Sequence, residues 1–343
     1  MKNITRLDIL AQRFYNQGFI EPYQEINQLL QDSLGIQAQY LNHGLFNIAN
    51  RMNLAKYDRI ENSIADSILA WGQRQTYHFY EFETWQSICH FLAREKLWVV
   101  SYFQDENLNL LEESQQLKSY LSHPQTRSQL VDIYGKRWAK LFNWSALFLY
   151  NSRQGSLYQK WLPKDRLVCW SNQKSVSSPQ LSRNLLEAYF TFYGPASLAD
   201  AAHFFGISQT CLDHRELHNL RSFDYFGRSY YYKVWQNGAN IPELLILGKF
   251  DPLLVSYKYK ELLIAPDDQP LIWKKAGQIS ALILIKGQLR ATWSMSVKGS
   301  AIDFKVQAKQ KISQKHQASI RRNFRNYARW MGKKMRKVNF ELE

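Results

Sequence analysis

Cysteine is nearly absent from this chain, and what there is lies scattered: Cys89, Cys169 and Cys211 are odd in number and far apart, without paired metal-ligand spacing. A disulfide framework and structural zinc are therefore not expected, and a reduced, cytoplasmic setting fits best. Long apolar runs are missing too. The longest, Ser280 to Ile285, is far below the ~20 residues of a membrane-spanning helix and is rich in β-formers, so it reads as a buried strand and no membrane partner is expected. Lys2, Arg6, Asp8, Gln12 and Arg13 interrupt any apolar stretch near Met1, so no secretory leader is expected. The sequence lacks a glycine-rich phosphate loop, HExxH, GxSxG and CxxC, which removes support for nucleotide hydrolysis, zinc proteolysis and serine hydrolase chemistry. No cofactor and no metal is implied.

What the chain does have is positive charge in one place. Residues 305–343 hold twelve lysines and arginines against Glu341 and Glu343, so most of the net charge of +15 is concentrated there. Crowded cations repel one another unless an anion balances them, and a polyphosphate backbone does so while releasing condensed counterions. Nucleic acid is favoured over the alternatives of a solvated face, a membrane-surface helix or a ribosome-bound tail. A length of 343 residues calls for roughly two to four modules with ample core.

Residues 5–19 and 23–34 read as helices, the second ending at Gly35. Gln37-Ala38-Gln39 follows, at or just before the start of a third helix carried by Leu41, Leu45, Ile48 and Met52. A helix over 58–71 precedes an aromatic strand or hairpin, Arg74 to Phe82, which is the order of a winged helix. A helix over 84–96, a β-like Leu97–Phe103, a helical stretch over 113–149 and a turn at 151–156 come next. A further helical group begins near Gln180, with Ser197 capping Leu198–Phe205, Gly206 closing that helix and Ser208 capping the next. Phe223–Val234 is a second aromatic hairpin turning at Gly227. Beyond Ile241 the texture is β, with strands at Leu244–Leu247, Ala281–Ile285, Leu289–Trp293 and Ala301–Val306, and a hairpin turn at Lys286-Gly287. An amphipathic basic helix follows, with Ile320, Phe324, Ala328 and Met331 on its apolar side.

The expected fold class is mixed α+β and mainly helical: tandem winged-helix motifs plus a C-terminal β-barrel-like domain carrying the basic helix. The corresponding modules are 1–105, 106–178, 179–240 and 241–343.

Several blocks occur in a telling order: Gly35-Ile36-Gln37-Ala38-Gln39, then Arg74-x-Thr76-x-His78, then Tyr193-Gly194-Pro195-Ala196-Ser197-Leu198-Ala199-Asp200 with Gly206-Ile207-Ser208. Phe250-Asp251-Pro252, an aliphatic strand, Lys286-Gly287 and Thr292-Trp293 complete the series. In this order, through nearly the whole chain, the sequence resembles the AlkZ-like DNA glycosylase family of winged-helix DNA-binding proteins. The resemblance implies a concave, DNA-gripping body that hydrolyses the N-glycosidic bond of alkylated or crosslinked bases in double-stranded DNA. It also implies that Gln37 and Gln39 lie at the catalytic centre, with Thr76 and His78 in a neighbouring element. Gln75 departs from the pattern, standing where the family usually has glycine, and is expected to restrict the backbone there.

Glutamine does not titrate near neutrality, so Gln37 and Gln39 can only donate to and accept from a water or a developing charge. That suffices for an N7- or N3-alkylated purine, which is already cationic and leaves without protonation. A monofunctional glycosylase acting on N7-alkylguanine-type lesions, as a monomer and without a catalytic lysine, is the leading expectation. In a regular helix, positions i and i+2 diverge, so both amides reach one ligand only if the turn is irregular; a merely polar helix start is the plain alternative. Arg74, Thr76 and His78 are candidate DNA contacts, with a satisfied histidine the alternative for His78. Arg321, Arg322, Arg325 and Arg329 are candidate phosphate contacts. Asp251 is favoured as a turn or cap residue over a site carboxylate. A non-catalytic winged-helix DNA-binding protein or transcriptional regulator is the second reading, and a basic RNA-associated protein the third.

Overall fold

The computed structural model describes residues 4–56, 59–171 and 185–342. Asp58 and Gln180, the expected starts of two helices, lie outside the described residues.

Helix α1 (Arg6–Asn16) starts at a capping box in which the Thr5 hydroxyl and the Asp8 carboxylate each accept the other residue's N–H. Helix α2 (Ile26–Asp32) stops where Leu34 and Gly35 turn left-handed, at φ 54° and 92°. The chain then runs as a short strand β1 (Ile36–Gln37) into α3 (Leu41–Ala49). Gln37 is therefore in a strand, not at a helix start. Backbone pairing decides this: Ile36 lies opposite Phe79, and the Ala38 N–H donates to the Tyr77 carbonyl at 2.7 Å.

Of the helix expected over 58–71 only α4 (Ile60–Ser63) forms, and the wholly buried β2 (Ile68–Trp71) follows as a strand. A four-residue apolar run fits a buried strand as well as a helix turn, and pairing with β3 (Tyr77–Tyr80) settles it. After α5 (Phe82–Phe91), the β-like Leu97–Phe103 is instead helix α6 (Trp98–Asp105). Its Val99 and Phe103, four apart, face inward, so burial overrides strand propensity.

Helices α7 (Leu110–Tyr120), α8 (Arg127–Tyr134), α9 (Trp138–Leu141) and α10 (Ala146–Arg153) make the helical middle, with a short strand β4 (Gln125–Thr126) before α8. A hairpin follows, β5 (Leu157–Trp161) and β6 (Arg166–Trp170), for which the sequence offers only the turn at 151–156 as a signal. The first two hairpins merge into one six-stranded sheet ordered β1-β3-β2-β5-β6-β4, joined at Leu69 and Gln159. A third helical pair, α11 (Leu185–Phe192) and α12 (Leu198–Phe205), precedes the aromatic hairpin β7 (Arg221–Tyr225) and β8 (Arg228–Tyr232). Ser197 caps α12 and Gly206 closes it as expected; Ser208 caps a single 3₁₀ turn.

The C-terminal sheet contains β9 (Leu244–Leu247), β10 (Ala281–Ile285), β11 (Gln288–Lys298), β12 (Ala301–Ala308) and β13 (Lys334–Leu342). Its order is β13-β12-β11-β10-β9, so it stays open, with β9 and β13 as edges. A long basic helix, labelled α15 (Gln314–Trp330) after the short helices α13 (Pro252–Val255) and α14 (Gln269–Ile272), is a crossover rather than the terminal element. It returns the chain to β13, parallel to β12.

Helix α15 is wedged between this sheet and α3. Phe324 stacks on Phe304 at 4.1 Å, Tyr327 meets Phe46 at 5.1 Å, and the Tyr327 hydroxyl donates to the Asn42 carbonyl at 2.7 Å. On its other flank α3 is clamped by the Phe250-Asp251-Pro252 block. Arg51 and Asp251, neither exposed, form a two-pronged pair at 2.7 and 2.8 Å, while Asp251 caps α13 through the Leu253 N–H. Asp251 is thus a structural cap. These clamps fix α3 and with it the strand that carries Gln37.

Candidate active site on the edge strand

Gly35 allows β1 to exist. A side-chain carbon there would sit 2.2 Å from the Tyr80 ring, and the residue needs φ +92°. Gln37, 5% exposed, pairs across the strand with His78, so both side chains leave the same face of the sheet. Its Oε1 accepts from Arg74 Nη2 at 2.9 Å. Arginine offers only donors, so the atom facing it must be the amide oxygen and the NH2 group points elsewhere.

Another Gln-x-Gln triplet, Gln73-Arg74-Gln75, braces Gln37-Ala38-Gln39. Gln73 donates to the Leu34 carbonyl at 3.0 Å, holding the α2 stop, and accepts from the Tyr80 hydroxyl. Arg74, at φ 55°, reaches Gln37 and also donates through Nη1 to the Phe204 carbonyl at 2.7 Å. Gln75, at φ 53°, adopts the left-handed backbone that glycine favours, and its amide bonds Glu95, the Lys96 carbonyl and the Trp98 N–H. The side chain thereby ties the β2–β3 turn to the start of α6.

Thr76 is half-buried and its hydroxyl donates to the Gln73 carbonyl at 3.1 Å. His78 is 1% exposed. Its Nδ1 lies 2.9 Å from the Thr76 carbonyl, so Nδ1 carries the proton and Nε2 is left as an acceptor. Burial and the nearby Arg74 cation push its pKa down to about 3. His43 on α3 is likewise lowered to about 3 by burial and Lys249, and its Nδ1 accepts the Lys249 N–H.

These two histidines make the fold acid-labile. Their folded pKa lies below the unfolded value near 6.5, so the stabilisation is full above that pH and is lost as pH falls toward 3. Each should cost about 1.4 kcal/mol per pH unit below 6.5. Thermal melts between pH 7.5 and 5 should show a falling midpoint, and His43→Gln should reduce the dependence, to which His203, lowered to about 4 by desolvation, also contributes; a midpoint flat across that range would contradict the burial of the His43 and His78 rings.

Gln39 sits in the bend after β1 and is exposed, whereas Gln37 is buried. Beside it Tyr40, 39% exposed, stacks on Phe250 at 5.7 Å and lies under the Lys249 ammonium at 4.5 Å. Neither Tyr40 nor Gln73 carries a sequence signal separating it from the chain's many other aromatics and glutamines. Leu41 and Asn42 open onto a cleft of 610 Å³ shared with Trp161, Lys164, Arg166 and Lys333. A second cleft, of 590 Å³, is lined by Glu21, Asp32, Glu81, Glu83 and Glu187, and repels polyanions.

On α15, Arg322, Arg325 and Arg329 are exposed and have no carboxylate within ion-pair distance among the described residues. Arg321 is half-buried over the Phe340 ring at 4.7 Å. Among the described residues there is no group of three or more His, Cys, Asp or Glu able to hold a metal, and none of their helices is long and apolar enough to cross a membrane.

The chain belongs to a class of DNA-repair enzyme, the glycosylases. The chain is a member of the AlkZ-like DNA glycosylase family, whose model matches residues 30–330. Among solved structures it is similar to the Streptomyces sahachiroi DNA glycosylase AlkZ, with a TM-score of 0.73 at 18% identity over 99% of this chain and 100% of that one. No curated protein matches it by sequence.

Proposed function

We propose that this DNA glycosylase removes purines that already carry positive charge, of the N7-alkylguanine or crosslinked type, with Gln37 and Gln39 positioning the attacking water. One observation carries the reading: the groups bonded to Gln37 and paired across from it are a guanidinium and a neutral imidazole, so neither supplies a proton to a leaving base near pH 7. A cationic purine needs no such proton. Hydrogen bonds to water and to the developing sugar cation then make up the protein's contribution, on the order of 3 kcal/mol for a well-placed dipole.

The helix-and-hairpin units are read as tandem winged helices, with the C-terminal sheet as a partial barrel, in modules 1–105, 106–178, 179–240 and 241–343. Arg74, Thr76 and His78 border the DNA path, and Arg321, Arg322, Arg325 and Arg329 carry phosphate contacts. The enzyme acts as a cytoplasmic monomer.

A lesion panel tests this. Duplexes bearing N7-methylguanine, a bulkier N7 adduct, hypoxanthine or uracil are incubated with the chain, and abasic sites are scored by alkaline cleavage. Release from the N7-alkylated duplexes without release of hypoxanthine or uracil is expected; equal release of the neutral bases would sink the charged-leaving-group reading.

A further inference from the structure

The glycosylase reading leaves unexplained why the block from Gly194 to Ser208, in a separate helical unit, should matter to a site on β1. Arg74 supplies the link. Its guanidinium spans two acceptors: Nη2 donates to Gln37 Oε1 at 2.9 Å and Nη1 to the Phe204 carbonyl at 2.7 Å. Phe204 lies in the last turn of α12, where carbonyls lack intrahelical partners and the helix dipole favours a cation. Gly206, at φ +75°, ends that helix, and a side-chain carbon there would come within 3.1 Å of the Arg74 backbone and Cγ. A glycine at this C-terminus therefore lets the β2–β3 turn approach closely enough for the guanidinium to bridge. The Phe204 ring, 5.7 Å from the guanidinium, limits its swing.

Resting on the glycosylase reading, we infer that Arg74 is a positioning residue: it joins the end of α12 to Gln37, fixes the flip of that amide, and leaves the NH2 group free for the water or the substrate. A phosphate contact would require the guanidinium to abandon both acceptors. Held in place, it contributes orientation rather than affinity. Positioning errors of about 1 Å can cost about 100-fold in rate without weakening binding.

The test uses the full chain, a duplex with one N7-methylguanine, and saturating enzyme in single turnover. Arg74→Met should lower base release about 100-fold while the affinity for duplex and its salt dependence stay unchanged. Replacing Arg322, Arg325 and Arg329 by alanine serves as the control and should reduce the salt slope by about three. In a Gln37→Ala background the Arg74→Met change should cost no more than about twofold, since it acts through the missing amide. Arg74→Lys, which keeps the charge but not the fork, should lose about tenfold and guards against misfolding of the methionine variant.

Independently, with 15N-glutamine labelling, the Gln37 NH2 resonances, identified by their loss in Gln37→Ala, should move in Arg74→Met. Unmoved resonances, a salt slope reduced by about one with an unchanged saturating rate, or an equal loss in the Gln37→Ala background would each overturn the inference. If the unaltered chain releases no base while the resonances still move, the bridge stands and the glycosylase reading falls.

Discussion

Replacing Gln37 by alanine is expected to slow base release about 100- to 1000-fold, the usual loss when one preorganised donor is removed from an electrostatic site. Duplex affinity should barely change. Gln37 is 5% exposed and faces Arg74 and His78, so it has no phosphate to lose. Gln39→Ala should cost less on its own, because an exposed side chain in a bend is not preorganised. Single-turnover excision together with fluorescence anisotropy separates rate from binding. A large drop in affinity with an unchanged saturating rate would assign Gln37 to DNA binding instead.

The second large effect is on stability. Asp251→Ala leaves the Arg51 guanidinium buried without its two-pronged partner, which typically costs about 3–5 kcal/mol. The lost cap on α13 adds about 1 kcal/mol. Against a typical total of about 5–15 kcal/mol, that should leave the chain partly unfolded at 37 °C, seen as a sharp fall in the urea midpoint. Removing the stranded charge as well, in the Asp251→Ala, Arg51→Met double variant, should recover part of the loss. A stable Asp251→Ala protein that has lost base release would instead make Asp251 a site carboxylate.

Local rules carried the sequence reading where local chemistry decides structure. Ser197 with Asp200 forms the capping box that makes α12 legible, and Lys286-Gly287, at φ 51° and 72°, is the turn its residue types announce. Asp251 before Pro252 reads as a cap and is one. Where long-range contacts decide, the signal was missing or misled. Leu97–Phe103 has strand propensity, yet it packs as a helix whose first free N–H is met by Gln75, 23 residues earlier. The Arg51–Asp251 pair spans 200 residues, and a single arginine gives no hint of so distant a partner.

The site shows the same division. The Gln37 element is recognisable by its order among other blocks, whereas its bracing by Gln73-Arg74-Gln75 is not. Only the fold places Gln73, Arg74 and Gln75 beside α2, β1, α6 and α12, because each bond crosses between elements.

We propose that a braced, untitratable amide, Gln37, with the exposed Gln39 two residues on, lets this chain release a purine that is already charged. The most direct measurement incubates the purified chain with a duplex carrying a single N7-methylguanine and follows free base and abasic strand together. Stoichiometric appearance of both, abolished in the Gln37→Ala, Gln39→Ala double variant, is the predicted result. No base release, or release undiminished in the double variant, would contradict it.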